Sequence, residues 1–134
     1  MTPRIVLLLV VLATLVGCKA SSSDTRPEYH YQTVVDDANW TVLYTPLEQR
    51  GNTLLLKSLW VEKHNPKLRI EYLEVRFTDP EGNEVYHDYF WPEATPRFAQ
   101  IPNIKVLTQG ATLEGVAKVK SSHSDEPLKF PLLR

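Results

Sequence analysis

Residues 73–91 read Leu-Glu-Val-Arg-Phe-Thr-Asp-Pro-Glu-Gly-Asn-Glu-Val-Tyr-His-Asp-Tyr-Phe-Trp. Proline suits the first corner of a tight turn and glycine the left-handed position after it, so Asp79 to Asn83 predicts a hairpin turn between two strands. With Pro80, Glu81 and Gly82 as a three-residue loop closed by a bulge, Thr78 faces Glu84, Phe77 faces Val85, Val75 faces His87 and Leu73 faces Tyr89. Continued by Trp91, these pairs make one apolar, core-facing side. The other side pairs Arg76 with Tyr86, Glu74 with Asp88 and Tyr72 with Phe90, and is more aromatic than a plain solvent face. Aromatic residues and arginine are enriched at interface centres. Tyr72, Arg76, Tyr86 and Phe90 are therefore the candidate partner-binding residues. The apolar alternation shifts by one between Tyr72 and Leu73, which predicts a bulge.

Outward from this hairpin, proline, glycine and asparagine punctuate the chain about every ten residues, with β-branched and aromatic residues between them. This is the spacing of an all-β sandwich or barrel. Seven strands are expected at 40–44, 53–62, 69–78, 84–91, 97–101, 111–120 and 128–132. Ten prolines in 134 residues leave few windows for a helix. Single helical turns fit at 46–51 and 104–109. Strand 53–62 alternates poorly: Leu54, Leu56 and Trp60 fall on one side and Leu55, Leu59 and Val61 on the other, as in a central strand covered on both faces. In 111–120, Leu113, Gly115, Ala117 and Val119 share one side while Glu114, Lys118 and Lys120 take the other, the pattern of a half-exposed strand. A strand, the Asn65-Pro66 turn and the hairpin together loosely resemble the middle of small immunoglobulin-like sandwich domains found in bacterial lipoproteins. The resemblance spans residues 53–120 and implies a small antiparallel immunoglobulin-like β-sandwich; it carries no functional residues across.

The first eighteen residues place the domain. A basic start at Arg4 and an apolar run from Ile5 to Val16 lead to Leu15-Val16-Gly17-Cys18, which contains the single cysteine. This run of twelve residues is too short for a bilayer-crossing helix, which needs about 20, and suits a cleavable signal. The segment resembles the lipobox signal peptides of bacterial lipoproteins. That resemblance implies removal of residues 1–17, lipidation of Cys18 by diacylglycerol and acylation of the new amine. Two or three acyl chains hold a soluble domain on a membrane almost permanently, each buried methylene contributing about 0.8 kcal/mol. A lone cysteine permits no internal disulfide.

Loss of residues 1–17 leaves 117, a length suited to one domain. Arg4 is the only charge removed, so 14 basic and 16 acidic side chains remain. This balance gives no electrostatic case for nucleic acid or for an anionic lipid surface. Residues 18–37 are polar and serine-rich and read as a flexible tether, leaving 38–134 as the domain. Tyr29, Tyr31, Val34 and Val35 form either a first edge strand or part of that tether. Lys19 stands where aspartate marks retention at the inner membrane in Gram-negative lipoproteins. The resemblance thus implies the outer membrane, with the domain facing the periplasm.

Chemistry-bearing residues are dispersed. His30, His64, His87 and His123 occur in no spacing that places two metal ligands on one surface, so no metal site is expected. His87, on the predicted inward face, reads as a hydrogen-bonded core histidine. Glu74 opposite Asp88 has the form of a glycosidase acid pair, but like charges directly opposed destabilise a sheet unless a cation intervenes; Arg76, Lys57 and Lys120 are at hand. Ser, His and Asp crowded into one loop at 121–125 cannot adopt triad geometry. No cofactor is implied. The favoured expectation is a membrane-anchored, non-catalytic lipoprotein serving as a protein-binding or scaffolding module in the bacterial envelope. The alternatives are a small-ligand carrier or inhibitor module, with a pocket lined by Trp40, Trp60 or Trp91 or a protruding loop, and an enzyme.

Overall fold

A computed structural model describes residues 26–92, 97–122 and 124–134. The signal and lipobox residues, Cys18 and Lys19 among them, and His123 lie outside the described residues. Two antiparallel sheets pack face to face, as expected, and the described residues form nine strands rather than seven. In the first sheet, β1 (Gln32–Asp36) pairs with β2 (Trp40–Tyr44). β2 and β3 (Glu48–Arg50) follow one another along the same edge of β4 (Thr53–Lys63), and β7 (Phe98–Leu107) takes its other edge. The second sheet has the order β6 (Glu84–Phe90), β5 (Ile70–Thr78), β8 (Glu114–Ser121), β9 (Leu128–Leu132). The β4–β7 and β5–β8 neighbours reproduce the B–E and C–F pairings of immunoglobulin-like sandwiches, with β6 in the C′ place.

The two extra strands come from segments with little apolar content. Residues 32–36, for which strand and tether were both open, form the edge strand β1, with a bulge between Thr33 and Val35. The helical turn expected at 46–51 is instead β3 followed by a turn at Gly51, whose φ is +59°. The turn expected at 104–109 is likewise a strand as far as Leu107, because Ile104 and Val106 pair with Leu56 and Leu54.

The poor alternation of β4 has a geometric cause. Its core residues are Leu54 and Leu56, then Leu59 and Val61; those of β7 are Ala99 and Ile101, then Ile104 and Val106. Both strands reverse their faces at one level, where Asn103 adopts a φ of +50° and Thr45 Oγ1 accepts the backbone N–H groups of Lys57 (3.0 Å) and Ser58 (3.1 Å). Side chains alternate with period two, so a matched kink in paired strands swaps faces without a register slip. The outward face of β4 is covered as well. Trp60 stacks on Phe98 at 4.3 Å, and Tyr31 reaches Ser58 Oγ.

The hairpin corrects the predicted register by one residue. Thr78 does face Glu84, but Val85 is bulged out, so Phe77 faces Tyr86, Val75 faces Asp88 and Leu73 faces Phe90. Leu73, Val75 and Phe77 are fully buried as expected. β6 is inverted relative to the expectation: His87 and Tyr89 stand on the outer face, Tyr86 turns inward to meet Phe77 edge-on, and bulged Val85 lies beside Tyr86 at the edge between the sheets, near Val106 and Leu113. As a sheet edge, β6 can bury little on either side, so its own pattern does not impose a register. The bulge expected beside Tyr72 is present, between Ile70 and Tyr72. Gly115 is needed on β8, because a Cβ there would stand 2.6 Å from Phe77 Cε1.

Candidate interaction face

The outer side of the second sheet gathers Tyr72 of β5, Tyr89 of β6 and Trp91, which follows β6. Tyr72 meets Tyr89 edge-on at 5.7 Å and Trp91 at 5.3 Å, while Tyr89 and Trp91 lie nearly parallel at 5.7 Å. Period-two spacing puts 89 and 91 on one face, and the pairing of Glu74 with Tyr89 sets Tyr72 beside them. Trp91 is 63% exposed and Tyr89 43%. An open groove of about 520 Å³ runs alongside, bordered by Arg69, Glu71, Tyr72, Trp91 and Pro92. Ring faces and edges, with phenol and indole groups as polar handles, suit a partner that covers them.

Beside the rings lies a charge network centred on Glu74, whose side chain is almost wholly buried although it faces away from the core. Its Oε1 stands 2.8 Å from His87 Nε2 and 3.3 Å from Arg76 Nη2, and Lys118 Nζ lies 3.9 Å from Oε2. Glu84 completes the set, 3.0 Å from His87 Nδ1 and 3.2 Å from Arg76 Nε. The Arg76 Nε contact lacks hydrogen-bond alignment, and that nitrogen is otherwise unpartnered. The Nε2 contact is a hydrogen bond to Glu74, which as a carboxylate accepts it, and Nδ1 faces Glu84 at ion-pair distance. His87 also touches Tyr89 at 4.9 Å, which links the network to the aromatic cluster.

The four residues proposed from sequence do not form one patch. Tyr72 and Arg76 are on this outer face. Tyr86 and Phe90 are on the opposite side of β6, with Phe90 38% exposed and Tyr86 packed against the core rim. Burial, and then the Asp88 carboxylate near its hydroxyl, pushes the Tyr86 phenol up. The one-residue bulge explains the split, and it brings in Tyr89 and Trp91, which the predicted register had assigned to the core. Glu74 faces Tyr89 rather than Asp88, so the expected acid pair is not formed. Of the cations expected near it, Arg76 is there; Lys57 binds Glu48, and Lys120 binds the carbonyls of Ser121 and Ser124. His87 is hydrogen-bonded as expected, but outside the core. His64 contacts Thr41 Oγ1, and His30 is exposed.

The tryptophans line no common pocket. Trp40 borders an open cleft of about 440 Å³ between the sheets, with Val42, Val119 and Leu128. Trp60 is buried under Phe98, and Trp91 lies on the opposite sheet. No helix among the described residues is long and apolar enough to cross a membrane. No protein-family model and no curated protein sequence matches this chain.

Proposed function

We propose that this chain is a lipid-anchored, non-catalytic module that binds or scaffolds another protein of the bacterial envelope. Lipidated Cys18 supplies the membrane contact, with the domain on the periplasmic side of the outer membrane. The observation that carries this reading is the Tyr72–Tyr89–Trp91 cluster, since large ring surface left in water on a flat sheet face is the composition of an interface centre. The closed charge network beside it favours binding over catalysis, because each charged group is already paired with another.

The test replaces Tyr89 and Trp91 together by serine. Recovery of the co-purifying envelope protein from detergent-solubilised membranes should fall to background, with the melting temperature of the variant close to that of the parent. Recovery at the parental level, at equal protein amounts, would refute the assignment. The anchor is tested separately. Cys18→Ala should abolish release of residues 1–17 and the mass of the acyl chains on the mature terminus, whereas an unmodified Cys18 in the parent would remove the anchor.

A further inference from the structure

Charge on the outer side of the second sheet is divided along the strands. Acids gather at the turn end, where Glu84 and Glu114 flank Thr78 from β6 and β8. Farther along, one row crosses the four strands as Tyr89, Glu74, Lys118 and Lys129, and the next sets Tyr72 opposite Lys120. Lys118 and Lys129 therefore oppose one another directly, an arrangement that destabilises a sheet unless an anion intervenes. The anion at hand is Glu74, which lies 3.9 Å from Lys118 and is already shared with Arg76 and His87. Among the described residues neither Lys120 nor Lys129 joins an ion pair. A cleft of about 190 Å³ opens at this place, lined by Glu74, Arg76, Thr78, Val116, Lys118 and Lys129.

We propose that this cleft receives the carboxylates of an acidic segment, carried by the same partner protein that covers the rings. The proposal rests on the binding role of the Tyr72–Tyr89–Trp91 cluster and adds the chemistry of what binds there. Charge complementarity selects the occupant. Three cations line the cleft against one carboxylate, and Glu84 takes Arg76 from the β6 side, so Lys118 and Lys129 carry the unbalanced charge. Lys120 adds a further cation beside Tyr72. Carboxylates between the two opposed lysines accept from both ammonium groups and relieve their repulsion, whereas a basic segment meets only like charge. The row also sets a spacing. Neighbouring strands lie about 4.8 Å apart, so the backbones of Lys118 and Lys129 stand roughly 10 and 14 Å from that of Tyr89. An extended chain advances about 3.3 Å per residue, which puts the acids about three and four residues beyond the side chain that covers the rings.

The test titrates labelled peptides with the full-length protein in a non-ionic detergent and reads fluorescence anisotropy against detergent alone. The acidic probe is Phe-Ser-Ser-Glu-Glu, and the basic probe has lysine in place of both glutamates. The acidic probe should bind several-fold more tightly than the basic one, and added salt should weaken it by screening the lysines. Lys118→Gln with Lys129→Gln should weaken the acidic probe several-fold, with a melting temperature at or above the parental value because the opposed charges are gone. Lys129→Glu should weaken the acidic probe and strengthen the basic one. Equal binding of the two probes to the parent, or acidic-probe binding that neither lysine variant changes, overturns the proposal. Tighter binding of a uronic-acid oligosaccharide of equal charge overturns a protein as the partner. Tyr89→Ser with Trp91→Ser separates the two assignments. Loss of both probes in that variant, with no effect of the lysine changes, leaves the ring assignment standing and overturns the acidic segment; response to the lysines alone overturns the ring assignment and with it the shared partner.

Discussion

His87 Nε2 stands 2.8 Å from Glu74 Oε1 on the side of the second sheet that faces away from the core. A carboxylate so thoroughly buried requires neighbours that donate: Arg76 of β5 and His87 of β6 stand at hydrogen-bond distance, and Lys118 of β8 adds a positive charge 3.9 Å away. Glu74→Ala leaves those groups facing one another without an anion, and should destabilise the domain by about 1 to 3 kcal/mol, the range for stranding buried charged hydrogen-bond partners. Urea unfolding measures this. A loss below about 0.5 kcal/mol, the range of ordinary surface changes, would mean that the network contributes little.

The bulge at Val85 makes opposite statements about two neighbouring residues. Val85→Ser should change stability by no more than about 0.5 kcal/mol, as at an exposed site. A double-mutant cycle between Phe77 and Tyr86 should yield a coupling of about 0.5 to 1.5 kcal/mol for the edge-to-face pair. Additive Phe77 and Tyr86 effects together with a costly Val85→Ser would restore the register without the bulge.

Gly115 and Phe77 are coupled through space. Gly115→Ala drives a methyl group into the ring and should cost about 1 to 3 kcal/mol, as overpacking does. Combined with Phe77→Leu, which vacates part of that volume, its cost should be smaller than on its own. Equal costs in both backgrounds would show that the ring is not what excludes the methyl group.

Asp79 gives the hairpin turn a pH dependence of known sign. Its Oδ1 accepts the backbone N–H groups of Asn83 (2.8 Å) and Glu81 (3.0 Å), and these bonds, that from Asn83 foremost, hold the carboxyl below its ordinary value of 3.8. A depressed carboxyl stabilises the fold above the ordinary value, and the gain is lost as pH falls through the lowered one. The stability difference between the parent and Asp79→Ala should therefore be constant from pH 7 to about 5 and shrink below pH 3.8. Asp79→Asn keeps an acceptor oxygen and should lack that dependence. A parent–alanine difference that is the same at pH 2.5 and pH 7 would contradict the role of the charge.

The sequence shows the all-β class, the turn at Asp79–Asn83 and the inward face of β5 because each rests on a local rule: turn chemistry, proline spacing, or period-two burial on a strand covered by a second sheet. β1 and β3 are less legible, since edge strands bury few side chains and leave little apolar pattern. The face reversal at Lys57 and Asn103 reads in the sequence only as poor alternation of β4, because the kink is bound by Thr45, which follows β2 and is distant in sequence. For the candidate face, one residue decides. Turn residues fix the closing pair Thr78–Glu84, but they do not say whether the residue after Glu84 pairs or bulges. That choice moves Tyr89 and Trp91 from the core to the surface and Tyr86 the other way. The preference of Phe77 for an aromatic partner is a tertiary contact that no local pattern encodes.

The most direct test of the binding role places a photo-crosslinking amino acid at Trp91, with a second version carrying it at Leu107, which is 67% exposed on the other sheet. Irradiation of intact cells followed by mass spectrometry reads which site touches another envelope protein. The Trp91 position should give a discrete adduct with one protein, and the Leu107 position should give none above background. Equal yields at the two positions, or an adduct at Leu107 alone, would contradict the assignment of the Tyr72–Tyr89–Trp91 face as the binding surface.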